Sequence, residues 1–125
     1  MRSQRQLRVG EEVRHALAAV LMRGDIPWPA SFKPPVITVT EVRVSPDLAN
    51  ATAFIMPLGG EKLKETVRLM NDGAGFFRFE IGKAVKLRHV PKIHFLPDES
   101  FEAAQRITEI LNDPVVAKDL KAPRE

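Results

Sequence analysis

Apolar positions recur along this chain with two different periods, and the switches between them divide it into elements. Over 7–22, Val9, Val13, Leu17, Val20 and Leu21 follow at three- and four-residue steps, with Arg8, Glu12 and His15 on the other side. That spacing predicts an amphipathic helix, ended by Gly24. Residues 36–45 are rich in β-branched side chains and read as a strand. Ile37 and Val39 share one side of it, whereas Val42 and Val44 fall on the opposite parity. A period of two buries both pairs only if an extra residue intervenes, so a bulge is expected near Thr40 and Glu41, or else a strand apolar on both faces. A turn at Ser45-Pro46-Asp47-Leu48 leads to a second strand over 50–58. Ala51, Ala53 and Ile55 line one face of it and Thr52, Phe54 and Met56 the other. Pro57 lacks a ladder donor, which predicts that this strand ends there or lies at a sheet edge.

Gly59 and Gly60 turn into a second helix, where Leu63, Val67 and Met70 repeat at i, i+4 and i+7. Phe77, Ile81 and Val85 then repeat at i+4 in a third helix, expected to end near Leu87. No loop separates these two runs, only Asn71-Asp72-Gly73-Ala74-Gly75, so the pattern reads as helix, kink, helix. A glycine costs about 1 kcal/mol in a helix interior relative to alanine, so the expectation is that small size is required at Gly75. Residues 91–96 make a short third strand with Ile93 and Phe95 inward and Lys92 and His94 outward. Asp98 or Ser100 is placed to cap a last helix bearing Phe101, Ala104, Ile107 and Leu111, and Pro114 bars its simple continuation. The order α-β-β-α-kink-α-β-α implies an α+β fold, a three-stranded sheet covered on one face by helices. Its core is expected to hold Ile37, Val39, Ile55, Ile81, Val85, Ile93 and Phe95. Between the first helix and first strand, residues 26–35 are proline-rich and carry Trp28 and Phe32. Loop aromatics stack bases or lid a core, and the lid is the commoner use.

Composition narrows the function classes. The 125 residues suit a single domain, and the absence of cysteine removes disulfide and thiolate chemistry. No apolar run approaches the roughly 18–20 residues of a membrane helix, and no h-region follows the basic N-terminus, which suggests a cytoplasmic protein without membrane contact. The net charge is only +3, but it is unevenly spread. Arg2, Arg5 and Arg8 precede any acid, and Arg78, Lys83, Lys86, Arg88 and Lys92 face Glu80 alone over 76–92. This pattern suggests a basic surface turned to a polyanion, and bare backbone in a kink beside such cations suits a phosphate. The histidines His15, His89 and His94 show no metal-ligand spacing, and neither GxSxG, GxxxxGK[ST] nor GxGxxG occurs. The carboxylates on the first and last helices are accounted for by solvated faces. A binding protein is favoured over an enzyme.

Several segments in order carry a resemblance. Arg8-Val9-Gly10-Glu11-Glu12-Val13-Arg14, Ile37-Thr38-Val39-Thr40-Glu41-Val42-Arg43-Val44-Ser45-Pro46-Asp47-Leu48, Ala74-Gly75-Phe76-Phe77-Arg78 and Leu87-Arg88-His89-Val90-Pro91-Lys92-Ile93-His94-Phe95 together resemble the ribosome-binding factor A family. The likeness runs from Arg5 to about Leu111. It implies a KH-like fold of the second type, with strand one central, strand three parallel beside it, and strand two at an edge. KH domains clamp single-stranded nucleic acid with a GXXG loop between two helices. The family has an Ala-x-Gly kink instead, and Gly73-Ala74-Gly75 stands there in this chain, with glycine in place of the usual alanine. Trp28 and its prolines replace the family's short Asp-Pro turn, so no contact of that loop carries over. The resemblance implies a non-catalytic, cofactor-free and metal-free monomer that binds the small ribosomal subunit and its precursor. It would contact ribosomal RNA near the 5′ end and decoding region and assist late processing and maturation. Candidate RNA contacts are Arg2, Arg5, Arg8, Gly73, Ala74, Gly75, Arg78, Lys83, Lys86, Arg88 and Lys92. The binding domain is expected at 1–112 and a tail at 113–125. A generic single-stranded RNA module acting on transcripts is the alternative, weakened by the missing GXXG; an unrecognised hydrolase is the remaining class.

Overall fold

The computed structural model describes residues 2–99; the expected last helix and the 113–125 tail lie outside them. The elements are α1 (Gln4–Arg23), β1 (Ile37–Val44), β2 (Asn50–Pro57), a 3-10 turn (Leu58–Gly60), α2 (Leu63–Asp72), α3 (Ala74–Ala84) and β3 (Lys92–Pro97). A capping box starts α1: the Gln6 amide N–H donates to Ser3 Oγ at 3.1 Å, and the Ser3 N–H donates to Gln6 Oε1 at 2.8 Å. Gln6 Nε2 also donates to the Val44 carbonyl at 2.9 Å, fastening the helix start to the end of β1. Gly24, with φ 79°, closes α1 in the left-handed conformation that favours glycine.

The expected bulge is present. Pairing of β1 with β2 slips between Val39 and Glu41, leaving Thr40 as the extra residue. The slip turns Val39, Val42 and Val44 all inward, which a regular strand cannot do. The Thr40 hydroxyl donates to the Asp98 carboxylate, with the Phe54 carbonyl as a second acceptor within reach at 3.3 Å, so the bulge also ties the end of β3 across the sheet.

The sheet order is β1-β2-β3, with β2 antiparallel to β1 and parallel to β3. The expectation that strand one is central and strand two an edge is therefore corrected: β2 is central despite Pro57. The Leu58 N–H points at β1, bonding the Val36 carbonyl, so by alternation the Pro57 nitrogen faces the β3 side. There β3 has already ended, its last partner pair being Ile55 with Pro97. Central strands tolerate proline where the neighbouring strand has run out.

All three described helices cover one sheet face. α1 crosses β1 and touches α3, while α2 and α3 lie over β3. The core joins Val9, Val13, Leu17 and Val20 of α1 to the inward strand residues and to Met70, Phe77, Ile81 and Val85. Phe77 and Phe95 meet edge to face at 5.1 Å. Of the expected core, Ile37 is only half-buried and packs against this cluster; the rest is buried.

Candidate nucleic-acid interface

The break between α2 and α3 falls at Gly73, whose φ of −100° and ψ of 22° are open to any residue. Its N–H still donates to the Leu69 carbonyl at 3.0 Å, closing α2, and its carbonyl accepts from the Phe76 N–H at 3.0 Å, a tighter three-residue step that opens α3. The neighbours hold the bend. The Asn71 side chain donates to the Phe95 carbonyl at 2.9 Å and accepts from the Phe95 N–H at 2.7 Å. Those backbone groups lie on the free edge of β3, so Asn71 both pins the end of α2 and covers an open sheet edge. On the other flank, Ile26, Pro27, Trp28 and Pro29 close over Leu69, Gly73, Phe76 and Phe77, leaving about 30 Å³ between them. Trp28 stacks obliquely on buried Phe32, with ring centroids 5.1 Å apart, so both loop aromatics serve as the lid.

The expectation that Gly75 must be small is corrected. A Cβ there would meet no heavy atom within 4 Å, and one at Gly73 would sit 3.6 Å from the Leu69 carbonyl, an ordinary contact. Neither glycine is required by packing within the described residues; the bend is held by Asn71 and the Trp28 loop. Gly75 is nevertheless exposed, so its backbone stands open to solvent.

The cations expected from the sequence divide into two groups. Three are engaged inside the fold. Arg2 pairs with Glu41 at 3.4 Å. Arg78 donates twice to the Val90 carbonyl, at 3.1 and 2.9 Å, anchoring the segment before β3. Lys83 lies 3.3 Å from Glu80, which also accepts from Arg23 at 2.8 Å; Arg23 in turn holds Asp25 at 2.7 Å. The hydrogen bond from Arg23, with Lys83 behind it, keeps the Glu80 carboxyl below its usual range. Arg23 is correspondingly raised, by Asp25 first and Glu80 second. Those four charges cancel locally, so Glu80 does not oppose an incoming anion.

The remaining cations, Arg5, Arg8, Lys86, Arg88 and Lys92, are exposed, and their side chains hold no ion pair or hydrogen bond among the described residues. Helix α3 ends at Ala84 and Val85 is extended, earlier than the Leu87 expected. Lys86 thus leaves the helix and lines an open groove of about 450 Å³ against Glu12, His15 and Ala16 of α1. Arg5 and Arg8 occupy the same face of α1 as Glu12, at helical steps of three and four. The structure therefore brings Lys86 to Glu12, one helical turn from Arg8 and two from Arg5, while the kink lies at the other end of α3, roughly 16 Å away.

Between those ends stands a residue that the sequence alone did not single out. Phe79 is 64% exposed on the outer side of α3, and Lys83 Nζ lies 5.1 Å from its ring centroid. The available signal was phase: Phe79 falls off the Phe77, Ile81, Val85 repeat. Asn71 was missed for a different reason, since a contact across 24 positions leaves no local pattern.

Three helices on one face of a mixed three-stranded sheet, with a bent helix pair in place of a GXXG loop, define a KH-like α+β module. The model of the family described as Ribosome-binding factor A matches residues 5–111. Ribosome-binding factor A of Paramagnetospirillum magneticum is 50% identical over 124 residues, covering 98% of this chain and 87% of that protein. The crystal structure of ribosome-binding factor A from Thermus thermophilus superimposes with a TM-score of 0.60 at 18% identity, over 74% of this chain and 94% of that one. Coordinates of the Thermus thermophilus factor fitted into an electron cryo-microscopy map of its 30S complex give a TM-score of 0.59 at 19% identity, over 75% and 96%. The chain belongs to the ribosome-binding factor A family.

Proposed function

We propose that this protein binds the immature small ribosomal subunit through its RNA, near the 5′ end and decoding region, and assists late RNA processing and maturation. It acts in the cytoplasm as a monomer, with residues 1–112 as binding domain and 113–125 as tail, and does so without a cofactor or catalysis of its own. Family membership is what points to the ribosome, and a relative of the same fold is described in a 30S complex. The observation that carries the RNA reading is Gly75, a glycine that packing among the described residues does not need, on a kink whose helix leads to cations unpaired among those residues. Arg5, Arg8, Gly73, Ala74, Gly75, Lys86, Arg88 and Lys92 are the contacts this reading favours. Arg2, Arg78 and Lys83 enter it with their side chains already engaged.

Sedimentation of extract during active subunit assembly tests the reading. The protein is expected with free small subunits and their precursors. Recovery chiefly in polysomes would overturn it, and equal affinity for short unpaired oligonucleotides and for small subunits would favour a generic RNA module instead.

A further inference from the structure

We propose that Phe79 is a stacking platform for one unpaired nucleobase of the RNA, set on α3 between the kink and Lys86. The inference rests on the ribosomal reading above and specifies the chemistry of its ligand. Among the described phenylalanines, 32, 54, 76, 77 and 95 are buried or half-buried, and Phe79 is the one left exposed. Its stripe on α3 holds Gly75 one turn earlier and Gly82 and Lys83 one turn later. Phe76 shares that stripe three positions earlier, but it is half-buried and packs against the core. Among the described residues of α3 no other large apolar side chain is exposed, whereas a protein-docking site usually shows a patch of a few hundred Å².

The acids near the ring are already paired, Asp25, whose charge Lys83 also feels, being held by Arg23. Lys83 sits at the ring, Arg78 lies one position before it, and the single acid of α3, Glu80, is 7% exposed and closed by Arg23 and Lys83. An exposed ring beside cations and bare backbone fits a planar group carried on an anionic chain, which is a nucleotide. Bases inside a duplex offer no free face, so the nucleotide is one in a loop, bulge or single strand. Stacking tolerates any base, so this contact selects unpaired RNA without selecting sequence.

The test compares Phe79→Ala, Phe79→Leu and Phe79→Trp with wild type in equilibrium binding to purified free small subunits at several salt concentrations. Alanine and leucine are both expected to weaken binding, by roughly 5- to 150-fold for alanine, while tryptophan keeps it. The salt dependence should be unchanged in all three, since every cation facing a phosphate is still in place. Phe79→Trp should also show quenched emission on subunit binding, read against wild type, where Trp28 is the single tryptophan. Thermal midpoints should stay near wild type, since the ring is mostly exposed. Wild-type affinity in the alanine and leucine variants overturns the platform and leaves the ribosomal reading standing. Retention by leucine with loss by alanine overturns it in favour of apolar docking. If the added emission of Phe79→Trp is that of a buried indole before any subunit is present, the chain's own remaining residues cover the ring, which also overturns it. Failure of wild type to bind subunits removes the ribosomal reading, and the platform with it.

Discussion

A Cβ at Gly10 would lie 2.7 Å from the Val42 carbonyl oxygen, where α1 crosses β1, whereas one at Gly75 would meet nothing within 4 Å. The two helical glycines are spelled alike, and their substitutions are expected to act in opposite directions. Gly10→Ala should destabilise the fold by about 1–3 kcal/mol, because the atom it meets is backbone and the helix must lift off the strand. Gly75→Ala should leave stability unchanged or raise it by up to about 1 kcal/mol, the cost of glycine in a helix being removed. If bare backbone at the kink touches RNA, the same variant should bind small subunits less well. Denaturant unfolding and subunit binding on both variants check this. A loss of stability in Gly75→Ala would restore the steric role that the structure denies it.

At the scale of elements, α1 and α3 are joined by a charge cluster as well as by their apolar faces. Arg23 at the end of α1 bonds Glu80 in the middle of α3, and Lys83 closes the other carboxylate oxygen. Because the folded Glu80 pKa is depressed, its contribution is fully present above the usual carboxylate range and is lost as pH falls through the lowered folded value. Wild type should therefore be more stable than Glu80→Gln near pH 7, and the two melting temperatures should converge towards pH 3. A constant difference across that range would mean that the clasp acts through packing alone. Asx pairing does similar work on the other flank, where Asn71 takes both backbone groups of Phe95 and fixes the end of α2. The bend is thus a tertiary feature, set by what α2 and the Trp28 loop pack against rather than by its own glycines.

Across the whole molecule the question is whether attraction to RNA has a defined face. Lys86 and Arg88 are exposed and unpaired among the described residues, whereas Lys83 holds Glu80 and is a poor probe. Lys86→Glu combined with Arg88→Glu should weaken subunit binding and flatten its salt dependence by roughly 0.7–0.9 for each phosphate no longer neutralised. The melting temperature should barely move, since exposed charges contribute ~0–1 kcal/mol. Lys118→Glu with Lys121→Glu, in the tail, is the control and should bind almost as wild type does. Equal weakening in both pairs would mean diffuse attraction by net charge with no face behind it.

Periodicity along the chain was sufficient for the elements, because each must bury one face and its spacing records which. It placed α1, the strands and the kinked pair, and the parity conflict between Val39 and Val42 located the bulge before any pairing was known. The inward core residues followed from the same rule, Ile37 alone being left half-buried. The family was legible too, since its segments are contiguous in sequence. Tertiary structure decided what depends on partners far along the chain. The strand order turned on where β3 stops beside Pro57, which no property of strand two encodes. Cations adjacent in sequence were separated by their neighbours into those consumed within the fold and those left open. The purpose of each glycine and the exposure of Phe79 were decided in the same way, because what a missing or outward side chain would touch is fixed only when the helices have packed.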